Sequence, residues 1–107
     1  MKLDIVTLKS CEKELDEFPQ QIMEEMLDLL ALLKQGLKLA MPTSRPMPTI
    51  YSGCHELRIK DKTGAYRVIY FIKVEDAIYL IHAFKKKTEK TPQREIDLAK
   101  KRIKDIL

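Results

Sequence analysis

Three consecutive strand-like runs in the second half of the chain constrain its fold more than any other feature. They cover residues 54–60, 65–74 and 77–84 and are rich in the β-branched and aromatic side chains that favour strands. Residues 61–64 form the predicted first turn, and residues 75–76 form a second, weaker turn that lacks glycine. Strands joined by such short turns pair in the antiparallel direction.

The two turns also determine which residues lie opposite each other. With a four-residue loop, Lys60 pairs with Ala65 and Arg58 lies opposite Arg67; with a two-residue second turn, Arg67 lies opposite Phe84. Because paired residues share a face and neighbours along a strand alternate, the sheet acquires one charged and one apolar face. The predicted charged face comprises Glu56, Arg58, Lys60, Arg67, Ile69, Phe71, His82 and Phe84. The predicted apolar face comprises Leu57, Ile59, Tyr66, Val68, Tyr70, Ile72, Tyr79 and Ile81.

Helical patterns precede and follow the strands. Ser10 is the predicted cap of a short helix that ends near Phe18, and Pro19 is suited to the first position of a second helix. Thr91 is the predicted cap of a final helix, with Pro92 in its first turn. Apolar residues recur at helical spacing in the second helix, at Ile22, Met26, Leu29, Leu30, Leu33 and Leu37. This stripe predicts a core face and no ligand pocket.

The order of the elements predicts the fold class. Residues 2–8 alternate weakly and form a possible short edge strand, whereas residues 41–49 contain three prolines and indicate an ordered loop. The predicted order is therefore β-α-α-β-β-β-α. We expect an α+β fold in which an antiparallel sheet of about four strands carries its helices on one face. The 107 residues form a single predicted domain, residues 1–107.

The net charge of +4 is unevenly distributed. Residues 1–50 carry six Lys/Arg and eight Asp/Glu, whereas residues 51–107 carry fourteen and eight. The basic half is a candidate surface for a polyanion, because nucleic-acid affinity begins with phosphate neutralisation. The alternative is that many small soluble proteins are mildly basic.

The sequence contains no apolar run long enough to span a membrane, and its first residues, Met1-Lys2-Leu3-Asp4, do not match a secretory signal. We therefore expect a soluble cytoplasmic protein that does not bind membranes. Cys11 and Cys54 are the two cysteines, and their spacing matches no metal-binding motif, so no metal site is predicted.

The predicted pairing of Arg58 with Arg67 has two interpretations. Like charges directly opposite each other destabilise a sheet, so a compensating partner is expected. Glu56 could share both guanidinium groups in a surface ion network. Alternatively, the two arginines bind a phosphate group, whose oxygens match their planar donors. The run Lys85-Lys86-Lys87 would add positive charge at the same edge or would simply be a solvated strand end.

His82 and Phe84 lie on the predicted charged face. Histidine is the side chain that most often transfers protons near neutral pH, so His82 is a candidate for that role, although a single histidine near a strand end is more often structural. Phe84 could stack on an unpaired base, or it could be a partly buried hydrophobic residue.

Residues 27–107 resemble the phage-associated, HigB-like members of the RelE/ParE toxins. The helix before the proline-rich loop is similar, and so are Glu95-Ile96 at the start of the last helix. The segments that carry the resemblance are Tyr51-Ser52-Gly53-Cys54-His55-Glu56-Leu57-Arg58, Tyr66-Arg67-Val68-Ile69-Tyr70-Phe71, His82-Ala83-Phe84-Lys85-Lys86-Lys87-Thr88 and Lys90-Thr91-Pro92.

The resemblance implies a RelE-like fold and a metal-free, cofactor-free ribonuclease that cleaves messenger RNA in the ribosomal A site. In this chemistry the 2′-hydroxyl attacks the adjacent phosphorus and the 5′ oxygen leaves. By position, Arg58 and Arg67 would bind the scissile phosphate, Lys86 or Lys87 would be a third cation, and His82 would transfer a proton. The further RNA contacts would be Lys60, Phe84, Lys85 and Lys87. Many relatives use a tyrosine near the chain end, whereas here the last one is Tyr79, predicted on the apolar face.

The resemblance also implies partners. These toxins are held inactive by a cognate antitoxin, commonly a HigA-like helix-turn-helix protein, which would supply any contact with operator DNA. The ribosome and messenger RNA would be the target. Two alternatives remain: a ParE-like toxin that inhibits DNA gyrase, and a non-catalytic RNA- or ribosome-binding module.

Overall fold

The computed structural model describes residues 3–73, 77–87 and 90–107. Its elements are β1 (Asp4–Thr7), α1 (Lys9–Leu15), α2 (Gln20–Lys34), β2 (Ser44–Pro46), β3 (Cys54–Asp61), β4 (Gly64–Lys73), β5 (Ala77–Lys86) and α3 (Gln93–Ile103). The strands form one five-stranded sheet in the order β1-β5-β4-β3-β2.

The α+β class is confirmed, and every predicted helix and strand occurs in the predicted order, but the described residues include one further strand, β2, and so form five strands where about four were expected. The sheet differs from the prediction in two ways. Strand β1 is an edge strand as expected, yet it pairs with β5 in the parallel direction, so the sheet is mixed. Strand β2 lies inside the predicted proline-rich loop and pairs antiparallel with β3. Three residues are too few to show strand periodicity, which explains why the sequence pattern missed it.

The predicted pairing of β3 with β4 is confirmed along its whole length, with Arg58 opposite Arg67 and Lys60 opposite Ala65. The pairing of β4 with β5 is confirmed as far as Ile69 opposite His82. Beyond that point the register shifts by one residue, because Tyr70 pairs with Leu80 and Ile81 is bypassed. The predicted turn at residues 75–76 lies outside the described residues.

This β-bulge places the first residues of β5, including Tyr79 and Ile81, on the opposite face of the sheet from the one predicted. A one-residue shift moves every following side chain to the other face of a sheet. Tyr79 and Ile81 therefore lie with Phe71 on the face that was predicted to be charged, and the prediction for them was wrong. Ile78 and Leu80 instead join Tyr70 on the apolar face.

Helices pack on both faces of the sheet, which corrects the prediction of a single covered face. Helices α1 and α2 cover one face, where the core includes Cys11, Leu15, Ile22, Met26, Leu30, Leu57, Val68, Tyr70 and Leu80. Helix α3 covers part of the other face, where the core includes Ile69, Phe71, Ile81, Phe84, Ala99 and Ile103. A large part of the predicted charged face is therefore buried.

Two helix caps also differ from the prediction. Helix α1 is capped by Leu8 and begins at Lys9, so Ser10 lies inside it. Helix α3 is capped by Pro92, and neither helix has a side-chain cap. The Thr91 hydroxyl donates to the carboxylate of Glu56 at 2.6 Å instead, which ties the start of α3 to β3.

No helix among the described residues is long and apolar enough to cross a membrane.

Strand β2 is fixed to the core by one buried hydrogen bond. The hydroxyl oxygens of Ser44 and Tyr70 lie 2.6 Å apart, and both residues are buried. Burial raises the pKa of Tyr70, and the contact with Ser44 opposes that effect. Both groups therefore remain neutral, and each is the other's hydrogen-bond partner.

We expect Tyr70→Phe to lower the free energy of unfolding by about 1–2 kcal/mol, because it leaves the Ser44 hydroxyl buried without this partner. Ser44→Ala should cause a similar loss. The double variant Ser44→Ala/Tyr70→Phe should lose less than the sum of the single losses, since no orphaned group remains. Urea denaturation of the four proteins measures the coupling; strictly additive losses would contradict this contact.

Strand β1 pairs only with the first residues of β5, and side chains hydrogen-bond to the backbone of β5 beyond them. The Glu14 carboxylate accepts the backbone N–H of Ala83 at 3.1 Å, and Arg102 donates to the carbonyl of Ile81 at 3.1 Å. Arg102 also makes two hydrogen bonds to Glu14, at 2.7 and 3.0 Å. These side chains hydrogen-bond to backbone groups that could otherwise pair with another strand. They also connect α1 to α3.

Glu14→Gln is expected to lower the free energy of unfolding by about 2–3 kcal/mol. Breaking a buried pair costs about 3–5 kcal/mol, and screening lowers that value at a partly exposed site. The side chains of Glu14 and Arg102 are 25% and 16% exposed. Glu12→Gln, an exposed carboxylate of the same helix, is the matched control and should change stability by less than about 0.5 kcal/mol.

The stability difference between the wild type and Glu14→Gln should depend on pH. Burial alone would raise the pKa of Glu14, but hydrogen bonds from Arg102 and Ala83 and the charge of His82 hold it below its ordinary value. A lowered pKa stabilises the folded state above the unfolded pKa of about 4.3, and this stabilisation is lost as the pH falls through the folded pKa. The stability difference between the wild type and Glu14→Gln should therefore narrow below about pH 4. A constant difference from pH 7 to pH 3 would argue against an ionised pair.

Candidate phosphate-binding site

Arg58 and Arg67 are cross-strand neighbours on the same face of the sheet. Arg67 is buried, with 6% of its surface exposed, whereas the Arg58 side chain is 26% exposed. Strand pairing holds their backbones side by side, and burial together with the charge of Arg58 lowers the pKa of Arg67. The two like charges therefore repel each other, and an anion bound to both would relieve that repulsion.

Glu56 lies next to both arginines and is 1% exposed. Its Oε1 atom is 3.6 Å from Nε of Arg67 and 3.9 Å from Nε of Arg58. These distances allow Coulomb attraction, but they are too long for hydrogen bonds. Within the described ranges, both Nε atoms are buried and have no hydrogen-bond partner. Glu56 thus balances part of the charge, as the ion-network interpretation requires, and leaves both Nε donors without a hydrogen bond.

Two more cations complete what we call the basic cluster, namely Arg45, Arg58, Arg67 and Lys86. Arg45 lies opposite Glu56 across β2 and β3. Lys86 lies opposite Ala65 on the charged face. Burial lowers the pKa of Lys86, and so do the charges of Arg67, Arg58 and Arg45, while Glu56 opposes the shift. Four cations therefore surround one carboxylate.

The pKa of Arg67 is also lowered, first by burial and then by Arg58, against the opposing charge of Glu56. An arginine has an ordinary pKa above about 12, so Arg67 remains a cation at neutral pH. It is nonetheless a cation that has lost most of its water. Such a group gains more from an incoming anion than an exposed arginine would.

A small cavity of about 190 Å³ opens beside the two arginines. Arg58, Arg67 and Lys60 line it together with Pro42, Thr43 and Ile59. Its volume is below the range of about 300–1,000 Å³ that is usual for whole small-molecule ligands. It is of the size to receive a phosphate group and part of a sugar.

His82 lies opposite Ile69, two residues along β4 from Arg67, but its side chain is enclosed by protein. It is 2% exposed, and its Nδ1 and Nε2 atoms each lie 3.0 Å from a carboxylate, of Glu14 and Glu95 respectively. Phe84 stacks on its ring at 5.2 Å and is itself 8% exposed. His82 has almost no free surface, and Phe84 exposes only a small part of its surface, at a separate cavity that Lys85 and Lys87 also line. We therefore do not retain His82 for proton transfer or Phe84 for base stacking at the basic cluster.

The three lysines at the end of β5 do not act together. Lys85 lies opposite Tyr66, on the face away from the basic cluster, and its ammonium group is 5.7 Å from the centre of the Tyr66 ring. Lys85 and Lys87 line a separate cavity beside Phe18. Lys60 and Lys86, by contrast, share the face of Arg58 and Arg67. The structure therefore brings together four of the predicted site residues: Arg58, Arg67, Lys60 and Lys86.

Sequence reasoning missed Arg45 and Thr91 as members of the site and missed the Glu14–Arg102 pair altogether. Arg45 sits between prolines, where no periodic pattern reveals a strand. Thr91 was predicted to cap the final helix, so its side chain was not considered as a partner for Glu56. Glu14 and Arg102 are 88 positions apart in sequence and show no signal of their contact.

In the described part of the chain, no three His, Cys, Asp or Glu side chains are grouped so as to hold a metal ion. Cys11 and Cys54 are both buried, and burial raises the pKa of each thiol to about 12. At neutral pH these thiols are protonated, and the thiolate is the form that binds metals and attacks electrophiles.

Comparisons with known proteins agree with this architecture. Residues 13–104 match the family described as phage-derived protein Gp49-like (DUF891). No curated protein matches the sequence at a significant level. Among solved structures, a mutant of the Escherichia coli toxin RelE in the free state superposes with a TM-score of 0.64 and 18% identity, covering 100% of both chains. The toxin–antitoxin complex RelBE2 of Mycobacterium tuberculosis contains a chain with a TM-score of 0.59 and 14% identity, covering 80% of this chain and 100% of that one.

At these identities the two structures show a shared fold, which is that of the RelE toxins, and the predicted RelE-like architecture is confirmed. The family match covers most of the sequence, from α1 to the end of α3. The chain therefore belongs to the Gp49-like family of phage-derived proteins, which here has the RelE toxin fold.

Proposed function

We propose that this chain is the toxin of a toxin–antitoxin pair and that it cleaves ribosome-bound messenger RNA at the basic cluster, without a metal or cofactor. The observation that carries the proposal is the Arg58–Arg67 pair: both arginines line one small cavity, and among the described residues their buried Nε atoms have no hydrogen-bond partner. A protein that acts only by contact with gyrase needs no such site.

The chemistry fits the charges of the site. In the proposed reaction the 2′-hydroxyl gives up its proton to solvent and attacks the adjacent phosphorus, and the non-bridging oxygens gain a second negative charge in the transition state. Arg67 and Arg58 would bind those oxygens through planar, paired donors. Because Arg67 is already desolvated and held by its strand, it needs little reorganisation when the charge develops.

The departing 5′ oxygen needs a proton, and Lys86 is the group that we assign to this step. It lies on the same face as Arg67, and its lowered pKa makes its ammonium group a stronger acid than an ordinary lysine. Lys60, which lines the cavity with the two arginines, would bind the neighbouring backbone. His82 has no part in this scheme.

A partner protein is part of the proposal. The Mycobacterium tuberculosis structure with the same fold was solved as a toxin–antitoxin complex. We propose that a small helix-turn-helix antitoxin, encoded beside this chain, holds it inactive and makes any contact with operator DNA. Coexpression with the adjacent reading frame should restore growth and yield a stable complex on purification.

The decisive experiment is induced expression followed by mapping of messenger 5′ ends. The proposal predicts growth arrest and new 5′ ends within translated regions; the purified protein should cut messenger bound to bacterial ribosomes with the metal chelated. Growth arrest with inhibited DNA supercoiling and no new ends would instead favour the gyrase-inhibiting class. Ribosome binding without cleavage would favour a non-catalytic module.

A further inference from the structure

A second, larger cavity adjoins the basic cluster and is not used by the scheme above. It has a volume of about 730 Å³, and we call it the cleft. One wall is formed by β2 and the residues after it, including Arg45, Met47 and Thr49. The other wall is formed by the segment before α3 and its first turn, including Thr91 and Ile96.

The walls of the cleft and of the phosphate site are in contact. Nη1 of Arg58 lies 3.8 Å from the sulfur of Met41, which lines the cleft. On the opposite wall, the Thr91 hydroxyl donates to Glu56, the carboxylate beside Arg58 and Arg67. A group bound at the two arginines is therefore flanked by the cleft.

The chemistry of the walls suits a nucleoside. Methionine, proline and isoleucine side chains present apolar surface, and Arg45 and Lys90 supply positive charge at the same cavity. Its volume lies inside the range of about 300–1,000 Å³ that is usual for whole small-molecule ligands. A base can lie against the apolar wall while its backbone stays near the cations, as in single-strand binding proteins.

We propose that the cleft binds the nucleoside next to the scissile phosphate, with Arg45 holding the following phosphate. This assignment rests on the proposed RNA cleavage at Arg58 and Arg67. Residues of β2 and of the segment that leads into α3 would then determine affinity for RNA. Neither the strand pattern in the sequence nor the Arg58–Arg67 pair predicts this role. A single strand is required, because a base inside a duplex cannot enter.

The test compares two short RNA probes that carry 2′-deoxyribose at the cleavage position, so that they bind without being cut. One probe is intact, and the other lacks the base of the nucleotide next to the cleavage position. Wild-type protein should bind the intact probe about tenfold more tightly, a stacking-sized preference. Fluorescence anisotropy at fixed salt measures both affinities.

Thr49→Trp fills the cleft from an exposed wall position and should abolish the preference for the intact probe. Ser10→Trp, at an exposed position of α1, is the matched control and should retain it. Arg45→Ala should weaken both probes equally and reduce the salt dependence of binding by about one ion.

The outcomes separate the two proposals. Equal binding of both probes by the wild type, together with loss of messenger cleavage in Arg67→Ala, would overturn the cleft assignment and leave the phosphate site standing. A base preference that survives Thr49→Trp would also overturn it. Failure of the wild type to bind either probe, both free in solution and placed in the A site of programmed ribosomes, would remove the phosphate site and the cleft assignment with it.

Discussion

Arg67→Ala is expected to reduce messenger cleavage by a hundredfold or more, on the order of the loss of a preorganised oxyanion donor. Arg67 is the most buried cation of the basic cluster, and its Nη1 atom donates to the carbonyl of Tyr66, so its guanidinium group is desolvated and held in place beside the small cavity. The expected loss is in the rate of the bound complex, because the charge that Arg67 meets is greatest in the transition state. Single-turnover cleavage on programmed ribosomes measures that rate.

The variant also removes the nearer cation of the buried Glu56 and leaves only Arg58, 3.9 Å away, so we expect the free energy of unfolding to fall as well. Urea denaturation of the same protein measures that loss, and the cleavage rate is compared at a temperature at which the variant is folded. Arg94→Ala is the matched control: it removes the same charge from a side chain that is 87% exposed on α3. It should cleave at nearly the wild-type rate. Arg67→Lys should recover only part of the activity, since an ammonium group cannot offer paired planar donors. Full activity in Arg67→Ala would sink the assignment of the site.

Lys86→Arg is expected to lower the single-turnover rate by about a hundredfold, the lower end of what general acid catalysis contributes. The substitution keeps the positive charge but replaces a titratable ammonium group with a guanidinium that does not release its proton near neutral pH. Loss of charge alone therefore cannot explain the result. The same ribosomal assay measures it, after subtraction of uncatalysed hydrolysis.

The pH profile distinguishes proton donation from binding. An acid must be protonated to act, so the wild-type rate should fall as the pH rises through the pKa of Lys86. Burial and the neighbouring arginines lower that pKa, so the fall should begin at a lower pH than for an ordinary lysine. In Lys86→Arg this alkaline limb should be absent. An unchanged limb would show that another group supplies the proton, and Lys60→Arg is the matched comparison because Lys60 lines the same small cavity.

Much of the site could be predicted from strand pairing alone. The turn at residues 61–64 fixed the partners of every residue in β3, and Arg58 and Arg67 therefore met as expected. The same reasoning failed in β5, because a bulge inserts one residue at Ile81 and no local pattern marks it. Ile78 to Ile81 are all apolar except for the phenol of Tyr79, so either register looks acceptable in sequence. The sequence likewise could not show whether His82 faces water or α3.

The sequence by itself determined the element order, the pairing of β3 with β4 and the cations that share one face, because alternation and turn length are local properties. Only the tertiary structure decided which of those side chains are accessible. Helix α3 and helix α1 close over His82 and Phe84 through contacts between residues far apart in the chain, such as Glu14 and Arg102. Strand β2 brings Arg45 to the arginine pair for the same reason. Burial depends on what packs against a face, and the periodicity of a strand carries no information about that.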